Sequence, residues 1–72
     1  MNYELHLKEI RLQRGMTQKD LAEAVHVTVG AVSQWENGAS KPTTSNLLAL
    51  TQALHCGLDE LVRPKATAMA PA

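Results

Sequence analysis

The stretch MTQKDLAEAVHVTVGAVSQWENG, residues 16–38, decides how this chain folds. Thr17 stands before Gln18, Lys19 and Asp20, so its hydroxyl can accept the backbone N–H of the first helical turn while the Asp20 carboxylate returns the bond. That is a capping box with Asp in place of Glu or Gln. A helix over Gln18 to Val25 follows, with Leu21, Ala22 and Val25 on one face. Only His26 and Val27 intervene before Thr28, a second cap. It opens an apolar-faced segment from Val29 to Asn37, which Gly38 ends because glycine accepts the left-handed backbone of a helix terminus.

Two short helices joined by a three- or four-residue turn make a helix-turn-helix arrangement. On its N-terminal side, Glu4 to Arg14 reads as helix 1, with Leu7, Ile10 and Arg11 on one face, Lys8 and Glu9 outward and Gly15 as the stop. On its C-terminal side Lys41 and Pro42 break any helix and Thr43 caps the next. Helix 4, Thr44 to Leu54, lines Leu47, Leu50 and Leu54 along one side with Leu48 beside them. Gly57 permits a turn, and Leu58, Leu61 and Val62 form a last short helix that stops before Pro64. β-Branched residues cluster only around Val25 to Val32, without the alternation of a strand. The expected fold is therefore all-α, a compact five-helix bundle in residues 1–63. Residues 64–72 are small, Pro-bounded and nonperiodic, the pattern of a flexible tail or the start of a linker.

Composition narrows the function. Seventy-two residues are enough for one small domain and too few for a two-domain enzyme with a cleft between its halves. A single Cys excludes an intramolecular disulfide framework and a Cys-rich zinc site. His6, His26, His55 and Cys56 show no spaced ligand pair, so no metal and no cofactor are expected, and Cys56 reads as a small core residue. Ser33, Ser40 and Ser45 have no paired base, and there is no glycine-rich phosphate loop, which leaves no catalytic residues to name and no enzyme to expect. No apolar run approaches the roughly 18 residues of a membrane span, and no basic start leads into an apolar stretch. A cytoplasmic protein with no membrane partner is expected.

The residues also carry a family likeness. The run from Met16 to Val25, then Ala31 to Gly38 (AVSQWENG), then Lys41-Pro42-Thr43 and Asn46 to Leu50 (NLLAL), resembles the DNA-binding domains of lambdoid phage repressors, Cro proteins and their Xre-like relatives. The likeness spans about Leu7 to Val62. It implies a lambda-repressor-like five-helix domain that binds a palindromic operator in double-stranded DNA as a homodimer, with helix 3 in the major groove.

Helical periodicity of about 100° per residue says which face would read the bases. Val32, Trp35 and Glu36 point toward the protein; Val29, Gly30, Ser33 and Gln34, with Thr28, lie opposite. Gln can pair with adenine through two bonds, Ser serves any base edge, and Val suits the thymine methyl. Gln34 is the leading candidate for base specificity. Gly30 costs a helix interior about 1 kcal/mol relative to Ala, either to bring backbone closer to the bases or through closer packing. Phosphate contacts are expected from Gln18 and Lys19 in the first turn of helix 2, where free amides and the positive dipole end favour an anion, and from Asn37, Ser40, Lys41 and Thr44. In the resembling repressors the residue matching Gln18 clamps a phosphate. The residues matching Arg11 and Glu36 form a structural ion pair, and both face inward here. His26 and His55 stand where the family commonly has glycine. Leu58, Leu61 and Val62 are the candidates for dimer contact, with Leu61 either at that contact or in the core. Asp20 and Glu23 read as a solvated face, with contact to RNA polymerase as the alternative that the resemblance supplies.

The other function classes to weigh are the antitoxin of a toxin–antitoxin pair, which sequesters a protein partner, and a restriction–modification controller. For an antitoxin, Arg63 to Ala72 offer only a poor toxin-binding arm. Zero net charge, from seven Lys plus Arg against seven Asp plus Glu, stands against the basic excess usual in DNA binders. The balance is global, however. Lys41, Lys19 and Arg14 are expected toward DNA, whereas Glu4, Glu9, Asp59 and Glu60 belong to segments away from helix 3.

Overall fold

A computed structural model describes residues 3–64. Seven elements follow one another: β1 (Tyr3–Leu5), α1 (Leu7–Gln13), α2 (Gln18–Val25), α3 (Val29–Asn37), α4 (Thr44–Leu54), α5 (Leu58–Leu61) and β2 (Val62–Pro64). The five helices are those the sequence predicts, and α2, α3 and α4 keep their predicted bounds. Each of these three begins on a threonine. Thr17, Thr28 and Thr43 accept the backbone N–H of Asp20, Ala31 and Asn46 at 2.9, 3.0 and 3.2 Å. Asp20 completes the box by accepting the Thr17 backbone N–H at 3.0 Å.

The helix ends are equally local. Gly15 and Gly38 take φ of 71° and 83°, and His26 and His55 close α2 and α4 in the same left-handed region at 61° and 54°. A non-glycine residue there costs on the order of 1 kcal/mol, with His among the side chains that tolerate it better. Arg14 helps at the second of these ends. Its Nε donates to the Leu54 carbonyl at 2.7 Å and its Nη2 to the His55 carbonyl at 3.3 Å, satisfying acceptors that a helix terminus leaves open.

Two features differ from the sequence reading. Tyr3–Leu5 is a strand, so helix 1 begins at Leu7 rather than Glu4. Val62 likewise leaves the last helix to start β2. The two strands pair antiparallel, Tyr3 with Pro64, Glu4 with Arg63 and Leu5 with Val62, and the His6 N–H extends the ladder to the Leu61 carbonyl at 2.8 Å. Backbone groups at both ends of the domain thereby find partners that neither segment has alone. The helical class stands, with this ribbon tying its ends. Pro64 belongs to the ribbon, and the tail or linker expected after it, residues 65–72, lies outside the described residues.

The core sits where α1, α2, α3, α4 and α5 converge. Leu7, Leu21, Val32, Leu50, Leu54 and Leu61 are completely enclosed, and Trp35 is nearly so. Leu47 and Cys56 pack against this core from its margin, whereas Leu48 is exposed. No helix among the described residues is long and apolar enough to cross a membrane.

Candidate nucleic-acid interface

Burial of Val32 and Trp35 fixes the rotation of α3 about its axis. Its opposite face is left outward: Thr28, Val29, Gly30 and Gln34 are exposed and Ser33 is half-buried. Val29 keeps 41% of its surface in solvent, a notable exposure for an apolar side chain at the first position of a helix. A Cβ added at Gly30 would meet only the Thr28 hydroxyl at 3.8 Å, so packing does not demand glycine there.

The loop after α3 is built from its own polar groups. Asn37 Oδ1 accepts the Ala39 N–H at 2.8 Å, and the Gln34 carbonyl accepts the N–H groups of Ala39 and Ser40 at 2.9 and 3.3 Å. Asn37 is therefore a turn-former, whatever else it contacts. The Ser40 hydroxyl donates to Gln34 Oε1 at 3.5 Å. Lys41 Nζ lies 4.9 Å from the centre of the Tyr3 ring. Asn37, Ser40 and Lys41 share with Tyr3, Trp35 and Pro42 a cavity of about 260 Å³ between β1 and this loop. Tyr3 thus stands beside candidate phosphate contacts, a neighbour that sequence reading missed; its one signal was to be the chain's lone tyrosine.

Behind this surface lies the ion pair. Arg11 Nε donates to Glu36 Oε2 at 2.6 Å and Nη2 to Glu36 Oε1 at 3.2 Å, and Nη1 donates to the Met16 carbonyl at 2.8 Å. Both side chains are more than nine-tenths buried. Burial pushes the Glu36 carboxyl up, but the hydrogen bonds from Arg11 and Gln18, with the Arg11 charge, outweigh it and hold the group below the usual glutamate range. Gln18 is the unexpected member, for its Nε2 donates to Glu36 Oε1 at 3.0 Å.

The remaining expected contacts fall unevenly. Lys19 and Thr44 are exposed in the first turns of α2 and α4. Arg14, expected toward DNA, is exposed and donates to the carbonyls at the end of α4. Asp20 is held by the Thr17 cap, whose backbone N–H lowers its pKa, while Glu23 is exposed. Leu58 is 46% exposed, but Leu61 is fully enclosed by its own domain and has no surface to offer a second copy. Val62 is half-buried in the ribbon. No group of three or more His, Cys, Asp or Glu that could hold a metal occurs among the described residues.

A family model described as helix-turn-helix matches residues 7–61. The chain belongs to the helix-turn-helix family. Its relatives in sequence include repressor protein C2 of Salmonella phage P22, 39% identical over 66 residues that make up 88% of this chain and 31% of that protein. They also include the HTH-type transcriptional regulator DicA of Escherichia coli (strain K12), 50% identical over 40 residues, 56% of this chain and 30% of DicA. The chain thus spans less than a third of these relatives' length. Among solved structures it is similar to the P22 c2 repressor in complex with synthetic operator 9T, with a TM-score of 0.71 and 37% identity over 75% of this chain and 82% of that one. The restriction-modification controller protein C.Esp1396I also resembles it, with a TM-score of 0.66 and 31% identity over 71% and 66% of the two chains.

Proposed function

We propose that this chain is the sequence-specific, double-stranded DNA-binding module of a transcriptional regulator. It works in the cytoplasm as a homodimer on a palindromic operator, with α3 in the major groove. The observation that carries this is the outward face of α3, where Thr28, Val29, Gly30, Ser33 and Gln34 stand clear of a core that holds Val32 and Trp35 on the opposite side. A helix so presented, preceded by a capped helix and a three-residue turn, is the arrangement that enters the major groove in helix-turn-helix complexes. Kinship with a repressor solved on its operator supports the reading.

In this reading Gln34 reads a base edge, Val29 meets a thymine methyl, and the missing side chain at Gly30 allows backbone to approach. Gln18, Lys19, Asn37, Ser40, Lys41 and Thr44 hold phosphates, mostly through neutral donors. Lys19 and Lys41 are the only cations in that set, so each monomer releases about two counterions and the salt slope is shallow, about −2 per monomer. The exposed Leu58 lies at the dimer contact. Relatives named as a repressor and as a transcriptional activator, BcrR of Enterococcus faecalis, leave both outcomes of promoter binding within the family. Contact with RNA polymerase through Glu23, beside the cap-bound Asp20, belongs to the activating outcome.

Selection of bound duplexes from a random pool tests the proposal. A dyad motif with half-sites about one helical turn, 34 Å, apart is expected. Recovery of unenriched sequence contradicts it.

A further inference from the structure

We propose that Glu36 is a positioning residue for DNA-backbone binding, because it sets which way the Gln18 side-chain amide faces. The inference rests on Gln18 being a phosphate contact and names what makes it one. Gln18 is the first residue of α2, where backbone N–H groups lack helical acceptors, and its side chain would meet the same anion as those groups. A primary amide can present either its NH2 or its carbonyl, and a phosphate is repelled by the carbonyl. Glu36 removes that choice. An ionised carboxylate only accepts, so the Gln18 nitrogen must turn toward Glu36 Oε1, at 3.0 Å, and its second N–H remains for a phosphate.

Arg11 makes this possible in two ways. Its guanidinium holds both carboxylate oxygens, so Glu36 stays ionised in a buried place, and its positive charge cancels the negative charge that would repel an incoming phosphate. The pair that fastens α1 to α3 therefore also orients the leading side chain of α2.

Phosphate contacts carry no sequence information, so the probe is a short mixed-sequence duplex at low salt. Binding is measured for the wild type, Glu36→Gln, Gln18→Ala and the double variant. Glu36→Gln keeps the outline of the side chain but strands the Arg11 charge and no longer dictates the amide direction, so all four proteins are compared at a temperature where circular dichroism shows each of them folded. It should weaken binding about three- to tenfold when Gln18 is present and less than about twofold in the Gln18→Ala background, the span of one hydrogen bond. Equal weakening in both backgrounds, or none in either, overturns the proposal. Gln18→Ala without loss of affinity would reject the phosphate reading of Gln18 itself, and this proposal with it. The wild type gives a second readout that needs no variant to fold. By NMR one Gln18 side-chain amide proton should be displaced from those of Gln13, Gln34 and Gln52 and stay so when duplex is added; its return to their range on binding would overturn the proposal.

Discussion

Arg11 and Glu36, 25 residues apart in the chain, are joined by two N–H···O bonds of 2.6 and 3.2 Å inside the domain. One partner without the other leaves a buried, unpaired charge. Glu36→Ala should therefore cost about 3 to 5 kcal/mol. For a domain of this size that lowers the melting temperature by more than about 12 °C or abolishes the cooperative transition. Thermal unfolding followed by circular dichroism checks it, and a midpoint within a few degrees of wild type would show that the pair is dispensable.

Acid should destabilise the fold in a defined direction. Burial works to raise the Glu36 carboxyl and hydrogen bonds from Arg11 and Gln18 win against it; at Asp20 the Thr17 N–H is the main cause of a lowered value. A carboxylate depressed in the folded state contributes stability above its unfolded pKa and loses that contribution as pH falls through the folded one. Stability should hold from neutral pH down to about pH 5 and decline below it. Asp20→Asn should make that acid decline shallower in denaturant titrations. A stability that rises on acidification would contradict both assignments.

Gly30 should separate stability from binding. With only the Thr28 hydroxyl at 3.8 Å from an added Cβ, Gly30→Ala has room to fit and should stabilise by up to about 1 kcal/mol. The same methyl stands on the proposed reading face, so affinity for the selected duplex should fall. A more stable variant with undiminished affinity would assign Gly30 no part in recognition.

Leu58 and Leu61, three positions apart, should behave oppositely. Leu61 is fully enclosed and Leu58 is 46% exposed. Leu61→Asp places a charge in the core and should leave no cooperative unfolding transition. Leu58→Asp should melt within a few degrees of wild type and yet bind a two-half-site duplex without cooperativity. Retained cooperativity in the Leu58 variant would move the dimer contact elsewhere.

Much of this architecture was legible because its signals are local. Thr17 with Asp20, Thr28, Thr43, Gly15 and Gly38 each act within a turn of their own position, and they mark the starts of α2, α3 and α4, the end of α3 and the stop after α1. The ribbon was not legible. Tyr3–Leu5 has helix-compatible residues and becomes a strand only because Val62–Pro64 returns beside it from the far end of the domain. The site divides in the same way. Helical periodicity placed Val29, Gly30 and Gln34 outward and Trp35 inward, whereas Tyr3 beneath Lys41, Gln18 on Glu36 and Arg14 on Leu54 are tertiary meetings with no pattern in the intervening sequence. The place of Leu61, core or dimer contact, stayed open for a related reason. A four-residue helix is too short for periodicity to tell its buried face from its exposed one.

In the proposed complex α3 reads bases and Gln34 is its chief reader. Parallel selections from one random duplex pool, with wild type and with Gln34→Ala, decide whether it does. The wild type should select a dyad motif, and the variant should lose preference at one base position in each half-site with the rest of the motif retained. Identical motifs from the two proteins, at every position, would contradict it.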